Sequence, residues 1–392
     1  MRPIVVVAGT RPEIIKLAPI IEHLERLKIE YFFVWSGQHY DYEMSRVFFE
    51  ELGVPKPHID LDVRSGSHAE QTAKIMLGLE KVLKDVNPSF VVAEGDTNTV
   101  VAAALTSAKM QTPFAHVEAG LRSYSNIMPE EINRKIADAI ANIHFAPTKL
   151  AALNLVFEGV PRKHIYVVGN TIVDAVHKWR DKTENTGLEL LKELGLAKYN
   201  YALVTVHRAE NTDDPDRLSS ILIALNELGK KVDVVYPIHP RTLKRVRELG
   251  LEKYLDRIRV LKPLGYLEFL GLLMYARVVL TDSGGVQEES FTLKVPTVTL
   301  RYNTERPETT LFDINMLAGT DPNRIVELAS IQMQRFDEIK SLKFDNPLGD
   351  GKAGKRIVKA LIELQAEKFF MDPDLSKTPF AIYRPVSYTH LR

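Results

Sequence analysis

Short apolar runs alternate with longer amphipathic stretches over the first half of the chain. The apolar runs are rich in β-branched residues and do not alternate with polar positions; they include PIVVVAG, YFFVWSG, SFVVAEG and PFAHVEAG. Continuous runs of this kind predict parallel strands that are covered on both faces. The stretches between them, such as PEIIKLAPIIEHLERL and EEINRKIADAIANI, have the period of amphipathic helices.

A polar helical stretch, ENTGLELLKELGLAKYN, interrupts this series, which then resumes with new strand-like runs. These runs are YALVTVH, VDVVYPIH, RIRVLKP, ARVVLTDSGG and VPTVTLR. Two successive series predict an α/β fold of two Rossmann-like, doubly wound domains that face each other across a cleft. We place the first domain at residues 1–170 and the second at 171–351. Residues 369–392 are predicted to be a tail, and its end, 386–392, has no periodicity.

The composition narrows the functional classes. The chain has 392 residues, 45% of them hydrophobic, which is enough for two domains that each have a core. Basic and acidic residues both number 51, so general binding to nucleic acid is not expected. There are no cysteines, which excludes disulfides and thiolate catalysis. No apolar run reaches transmembrane length, and the N-terminal run is too short for a signal peptide; we therefore predict a cytoplasmic protein without membrane association.

Polar, glycine-containing segments follow most of the predicted strands. In the first domain these segments are GTRPE, GQHYDYEM, GDTNT and EAGLRS, and in the second they are HRAEN, HPRT and DSGGVQEE. Doubly wound sheets bind ligands at the carboxyl ends of their strands. The charged residues therefore fall where this architecture places a cleft.

The segment TDSGGVQEES is a candidate nucleotide site. Ser283, Gly284 and Gly285 are predicted to open a helix, whose free backbone N–H groups bind a diphosphate. Glu289 lies one turn later, where a carboxylate accepts hydrogen bonds from a ribose diol in nucleotide-binding folds. The alternative is a tight strand–helix turn followed by a surface glutamate.

The segment GTRPEIIK is a second candidate anion site. Thr10 and Glu13 have the spacing of a capping box, and Pro12 suits the first turn of a helix. Arg11 and Lys16 add positive charge at this helix start. The segment matches neither a P-loop nor a GxGxxG turn, and the alternative is a well-capped helix without a ligand.

Single residues at other strand ends are weaker candidates. Asp96 follows a strand and begins a helix, where an N-cap is the alternative. His207 and His239 follow successive strands and suit acid–base or phosphate contacts, although structural histidines are common. Arg306 follows another strand, where a loop salt bridge is the alternative. No clustered His/Asp pattern indicates a metal, and no motif indicates a cofactor.

Taken together, the motifs resemble one family. GTRPEIIKLAPI, GQHYDYEM, GDTNT, HVEAGLRS, PEEINR, TVHRAEN, TDSGGVQEE and TERPET are similar to the non-hydrolysing UDP-N-acetylglucosamine 2-epimerases, from residue 3 to about residue 365. The resemblance implies a GT-B-like fold, a homodimer, a UDP-sugar substrate and no cofactor. It also implies that a C-terminal helix at about 352–368 returns to the first domain.

The resemblance also implies residue roles. The family's catalytic residues match Asp96, Glu118, Glu130, Arg134 and His207. Its substrate contacts match Arg11, Lys16, Phe269, Ser283, Gly284, Gly285, Glu289 and Arg306. Residues implied for a second site or for closure of the cleft are Gln38, His39 and His239.

Several activities remain open at this point. The family reaction is the reversible conversion of UDP-N-acetylglucosamine to UDP-N-acetylmannosamine, through loss of UDP to a 2-acetamidoglucal and its re-addition. The alternatives are a 2-epimerase of a related UDP-2,3-diacetamido sugar, a hydrolysing 2-epimerase and a GT-B glycosyltransferase. A glycosyltransferase would share the nucleotide turn but would need an acceptor groove in place of paired acids.

Overall fold

The computed structural model describes residues 2–37 and 49–364. Two residues predicted for a second site, Gln38 and His39, lie outside the described residues, as does the predicted tail at 369–392.

The described chain contains two sheets in which every strand pair is parallel. The strands of the first sheet are β1 (Ile4–Ala8), β2 (Tyr31–Trp35), β3 (Ile59–Asp60), β4 (Phe90–Glu94), β5 (Phe114–Val117), β6 (Ile143–Ala146) and β7 (Ile165–Val167). Those of the second are β8 (Tyr201–Thr205), β9 (Asp233–Pro237), β10 (Ile258–Leu261), β11 (Val278–Thr281), β12 (Thr297–Thr299) and β13 (Asn315–Leu317). The predicted α/β fold of two doubly wound domains is confirmed.

Helices cover both faces of each sheet. Helices in the first half of the chain are α1 (Arg11–Arg26), α2 (His68–Val86), α3 (Asn98–Lys109), α4 (Pro129–Ile140), α5 (Lys149–Phe157), α6 (Thr171–Lys178) and α7 (Arg180–Glu193). Those in the second half are α8 (Ala209–Thr212), α9 (Pro215–Leu228), α10 (Pro240–Glu248), α11 (Tyr266–Tyr275), α12 (Gly284–Thr292), α13 (Pro322–Gln334), α14 (Phe336–Ser341) and α15 (Ala353–Glu363). Short 3₁₀ turns occur at Arg162–His164, Glu252–Leu255 and Pro307–Asp313. Among the described helices, none combines the length and apolarity that a membrane span requires.

The strand order places a crevice at the same edge of both sheets. The first sheet has the order β3-β2-β1-β4-β5-β6-β7, and the second has the order β10-β9-β8-β11-β12-β13. In each sheet the direction of the strand order reverses next to the first strand of the domain: between β1 and β4 in the first sheet, and between β8 and β11 in the second. Doubly wound folds bind ligands outside the carboxyl ends of the strands at such a reversal.

The chain returns to the first domain through its last described helix. Ile357, Val358 and Leu361 of α15 are buried in the core that α1 and α6 also supply. Asp174 of α6 caps α15 by accepting the backbone N–H groups of Ala353 (3.0 Å) and Gly354 (2.9 Å). A side chain at residue 354 would meet the backbone of α1, because a Cβ there would lie 2.8 Å from the carbonyl of Pro19.

We therefore expect Gly354→Val to lower the free energy of unfolding by about 1–3 kcal/mol, because the added side chain forces α15 away from α1. Urea unfolding followed by circular dichroism measures the change. Lys355→Val is the matched control, since it places the same β-branched side chain at the next, exposed position of the helix. Equal stabilities of the two variants would contradict the close packing of α15 on α1.

Candidate active site

A cavity of about 300 Å³ lies between the carboxyl ends of the two sets of strands. Both domains line it. The lining residues from the first domain and α6 are Thr10, Pro12, Glu13, Ile15, Lys16, Glu94, Gly95, Asp96, Thr97, Glu118 and Ile172. Those from the second domain are His207, Arg208, Tyr266, Phe269, Ser283, Gly285, Val286, Glu289 and Arg306.

The N-terminus of α12 opens onto this cavity. Ser283 precedes the helix in an extended conformation, and its backbone N–H donates to Thr281 Oγ1 at 3.0 Å. A Cβ at Gly284 would lie 2.8 Å from the guanidinium of Arg306, so glycine allows that side chain to pack against the helix start. A Cβ at Gly285 would meet no atom within 4 Å, because this residue faces the open cavity. Backbone N–H groups at a helix start and an adjacent guanidinium are groups that bind anions in proteins.

Lys16 lies at the centre of a group of buried carboxylates. Its ammonium forms an ion pair with Glu118 and lies 3.2 Å from Glu94 Oε1 and 3.5 Å from Glu288 Oε2. Arg306 contacts two of the same acids, with Nη2 2.7 Å from Glu118 Oε1 and Nε 2.9 Å from Glu288 Oε1. We call Lys16, Arg306, Glu94, Glu118 and Glu288 the Lys16 cluster. It joins residues of both domains.

The acids of the Lys16 cluster have different protonation tendencies. Burial opposes ionisation of Glu118, but Lys16 and Arg306 outweigh it and lower the pKa of this carboxyl to about 2. Burial raises the pKa of Glu94 well above its usual value, and Glu118 raises it further, although Lys16 lowers it. Burial also raises the pKa of Glu288. One acid of the cluster is therefore held as a carboxylate while its neighbours favour protonation.

The loops that carry Asp96 and Glu118 are tied together by a buried histidine. Glu118 has a φ of +70°, which turns the chain sharply after β5. His116 lies 2.7 Å from the carbonyl of Gly95 through Nε2 and 2.6 Å from Asp138 through Nδ1. Asp138 also accepts the backbone N–H of Gly120 at 3.0 Å. Two candidate carboxylates are thus positioned by one hydrogen-bonded network.

Asp96 lines the cavity and is paired with Arg134, which is buried behind it. Arg134 of α4 forms an ion pair with Asp96 and donates to Glu131 Oε2 at 3.0 Å. Glu131 in turn accepts the backbone N–H groups of Ser123 and Tyr124. The orientation of the Asp96 carboxylate therefore depends on α4.

Glu130 does not line the cavity. Its carboxylate lies 2.7 Å from Nη1 of Arg208, which does line the cavity from the second domain. The side chain of Glu130 is 32% exposed, in contrast to the buried acids of the Lys16 cluster. This candidate acid therefore connects the domains at the edge of the cleft.

His207 lines the cavity and is held from behind by a buried aspartate. Its Nδ1 lies 3.2 Å from Oδ1 of Asp282, which also accepts the backbone N–H groups of His207 and Arg208. With Nδ1 engaged, Nε2 is the nitrogen left to act on a ligand. His239 is not among the residues that line the cavity; it precedes α10, where its Nδ1 accepts the N–H of Arg241 at 3.2 Å.

Of the remaining predicted site residues, some line the cavity and others do not. Phe269 and Glu289 line the cavity, and burial raises the pKa of Glu289 to about 8. Arg11 begins α1 but is not among the lining residues; its charge contributes to the lowered pKa of His239, whose largest cause is burial. Within the described chain, no group of three or more His, Asp or Glu residues is arranged to hold a metal.

Sequence reasoning missed several buried acids next to the residues it selected. Glu94 lies two residues before Asp96, Glu288 immediately precedes Glu289, and Glu131 follows Glu130. Glu305 and Asp282 were missed in the same way beside Arg306 and Ser283. Apart from Glu131, which begins a predicted helix, each stood at or just after the end of a predicted strand, so the available signal was the abundance of acids there.

Comparisons with known proteins cover nearly the whole chain. The family model described as UDP-N-acetylglucosamine 2-epimerase matches residues 22–362. A UDP-N-acetylglucosamine 2-epimerase of Methanocaldococcus jannaschii is 45% identical over 362 residues, which cover 91% of this chain and 98% of that protein. A UDP-2,3-diacetamido-2,3-dideoxy-D-glucuronate 2-epimerase of Pseudomonas aeruginosa is 40% identical over 367 residues, covering 92% and 99%.

Solved structures of UDP-GlcNAc 2-epimerases are similar to this chain. The UDP-GlcNAc 2-epimerase of M. jannaschii in complex with UDP-GlcNAc and UDP has a TM-score of 0.85 and 43% identity, covering 92% of this chain and 100% of that chain. The UDP-GlcNAc 2-epimerase of Neisseria meningitidis bound to UDP-GlcNAc also has a TM-score of 0.85, with 31% identity and the same coverage.

The raised pKa of Glu289 predicts a pH-dependent loss of stability. Because the pKa of this acid is about 8 in the folded protein and about 4.5 when exposed, the folded state holds the proton over that range. Stability is then greatest below the lower value and falls as pH rises towards 8. The side chain in Glu289→Gln cannot ionise, so this variant should not lose stability in the same way. Between about pH 5 and about pH 8.5, the free energy of unfolding of the wild type should fall by on the order of 3 kcal/mol relative to that of Glu289→Gln.

Urea unfolding at several pH values measures this difference. Glu193→Gln, at an exposed position of α7, is the matched control and should follow the wild-type curve. A Glu289→Gln curve parallel to that of the wild type would refute the assignment.

Proposed function

We propose a function from an established premise: this chain belongs to the UDP-N-acetylglucosamine 2-epimerase family. We propose that it reversibly inverts C2 of UDP-N-acetylglucosamine to give UDP-N-acetylmannosamine. The observation that supports this most directly is the cavity itself, where an anion site and a set of buried carboxylates face each other. An anion site holds a diphosphate, and carboxylates act on a sugar beside it.

Binding of the nucleotide is assigned to the second domain. The diphosphate is proposed to lie at the N-terminus of α12, against Ser283, Gly284 and Gly285, with Arg306 beside it. Glu289 is proposed to accept the ribose hydroxyls, and Phe269 to lie near the uracil. Lys16 reaches the same anion from the first domain, which places the anomeric carbon of the sugar close to the Lys16 cluster.

The C2 hydrogen of the sugar has no adjacent carbonyl that would stabilise a carbanion. Direct deprotonation is therefore unfavourable, and the anomeric C1–O bond must break first. The bond electrons leave with UDP, and the oxocarbenium-like centre that forms acidifies the C2 hydrogen; carboxylates stabilise such a cation. A base then takes the C2 proton to leave 2-acetamidoglucal. Protonation of C2 from the opposite face, with UDP adding back to C1, gives the epimer.

The two faces of C2 require two groups that carry protons. Glu118 and Asp96 are proposed for these roles, since both line the cavity and both are held by buried arginines. His207 and Lys16 are proposed to offset the charge that develops on the leaving UDP. Glu130 is proposed to act when the cleft closes, because its partner Arg208 belongs to the opposite domain. A homodimer, expected from the family, remains part of the proposal.

A second candidate substrate follows from one comparison. The Pseudomonas aeruginosa relative, 40% identical, is named for a UDP-2,3-diacetamido-2,3-dideoxy-D-glucuronate. Such a uronate sugar adds a carboxylate to the ligand. Glu118, whose pKa is lowered to about 2, is held as a carboxylate in the cavity, so like-charge repulsion favours the uncharged N-acetylglucosamine here.

We predict that incubation of the full chain with UDP-N-acetylglucosamine in D₂O yields UDP-N-acetylmannosamine that carries deuterium at C2, because the proton removed from C2 exchanges before the other face is protonated. Proton NMR of the reaction mixture measures both the product and the isotope. Free N-acetylmannosamine with UDP would instead identify a hydrolysing enzyme. Complete epimerisation without deuterium would refute the elimination mechanism, and the uronate sugar, tested in parallel, should turn over more slowly.

The acids proposed to be catalytic should affect turnover rather than nucleotide binding. Asp96→Asn, Glu118→Gln and Glu130→Gln keep the size of each side chain but remove its ability to carry a proton. Each is expected to lower kcat by about a hundredfold or more, while the affinity for UDP stays close to that of the wild type. Glu289→Ala is the contrasting variant, since it should mainly raise KM. A Glu130→Gln enzyme with normal kcat would remove Glu130 from the catalytic set.

A further inference from the structure

A single ammonium in the cavity is shared by three buried carboxylates. Glu94, at the end of β4, Glu118, after β5, and Glu288, within α12, all lie around Lys16 Nζ. The three side chains are at most 5% exposed. Water therefore does little to screen their mutual repulsion, and one positive charge cannot neutralise three negative charges.

Arg306 supplies a second positive charge, but only to two of the three acids. It contacts Glu118 at 2.7 Å and Glu288 at 2.9 Å. Within the described part of the chain, Oε1 of Glu94 accepts no hydrogen bond, although it lies 3.2 Å from Lys16. Three carboxylates against two cations leave one negative charge in excess, and Glu94 is the acid with the fewest compensating contacts.

The groups around Glu94 make its ionisation unfavourable. From α1 it faces Lys16 and Glu13, and from the loop after β5 it faces Glu118. Burial is the largest cause that raises the pKa of Glu94, and both neighbouring glutamates act in the same direction. Among these groups, Lys16 alone lowers the pKa of Glu94, and its charge is shared with Glu118 and Glu288.

We propose that Glu94 holds a proton in the ligand-free cleft and keeps it when the nucleotide diphosphate engages Lys16 and Arg306, so that nucleotide binding is linked to the protonation of Glu94. This inference rests on the proposed function, because it assigns the diphosphate to these two cations. Glu94 is a positioning residue in this account: it acts through Glu118 and Lys16 rather than on the sugar.

The negative charge of the diphosphate makes a protonated Glu94 still more favourable. A diphosphate brings further negative charge to the cations that now neutralise the carboxylates. An ionised Glu94 would then lie unpaired beside it, and the cost of an unpaired buried charge is large. A protonated Glu94 instead has an O–H group to donate to Glu118, which stays ionised for its role in the reaction.

The test uses free UDP and the full-length protein. The terminal phosphate of UDP titrates near pH 6, so calorimetric titrations between about pH 7.5 and about pH 9.5 are free of that contribution. Once the pH exceeds the pKa of free Glu94, binding must take up a proton, so the affinity for UDP should fall by up to about tenfold per pH unit. Titrations in two buffers that differ in ionisation enthalpy should show the same net proton uptake.

Glu94→Gln should lose the part of the fall in UDP affinity at high pH that Glu94 causes, because glutamine reproduces the protonated acid at every pH. Burial raises the pKa of Glu289 to about 8, so Glu289 contributes the same remaining pH dependence to both proteins. A change in packing alone would shift the affinity equally at each pH. Glu193→Gln, at an exposed position of α7 outside the cavity, is the matched control and should retain the loss of affinity at high pH.

The outcomes separate this inference from the proposed function. An identical pH dependence of UDP affinity and proton uptake in wild type and Glu94→Gln overturns the inference and leaves the epimerase proposal intact. Absence of UDP binding at every pH overturns the proposed function and this inference with it. Where Glu94→Gln does not fold, the proton uptake of Glu289→Gln decides the question, because that variant lacks the other carboxyl that titrates in this pH range.

Discussion

Buried charges at the cleft are paired across it, from one domain to the other, as well as within each domain. Lys16 of the first domain lies 3.5 Å from Glu288 of the second, and Arg306 of the second lies 2.7 Å from Glu118 of the first. A buried charge that loses its partner destabilises a protein by about 3–5 kcal/mol. The strand ends of the two sheets must therefore face each other, and the cavity exists because they do.

This concentration of charge serves ligand binding better than it serves stability. Replacing a buried ion pair with well-packed apolar residues is often neutral or stabilising, so such pairs need another explanation. In the proposed reaction, Lys16 and Arg306 exchange carboxylates for a diphosphate. The same exchange frees Glu118 beside the sugar, which links nucleotide binding to the step that acts on C2.

Several candidate residues of the cavity are held in position by buried groups that do not line it. Asp282 holds His207, Arg134 holds Asp96, and the His116–Asp138 pair fixes the loops on both sides of the first-domain site. Such support is what keeps reacting groups in place without water. Glu130 differs, because its partner Arg208 comes from the opposite domain and its position therefore depends on how far the cleft is closed.

The sequence by itself determined the two βα series, the polar strand ends and the anion-binding turn at Ser283–Gly285, because these depend on local periodicity and turn chemistry. It also determined most of the cavity-lining candidates, including Lys16, Asp96, Glu118 and Glu289. Only the tertiary structure decided that Glu94 and Glu288 share Lys16 with Glu118, and that Glu130 pairs with Arg208 instead of lining the cavity. The physical reason is that neighbouring residues at a strand end have the same local signal, whereas their charges are balanced by partners that are distant along the chain.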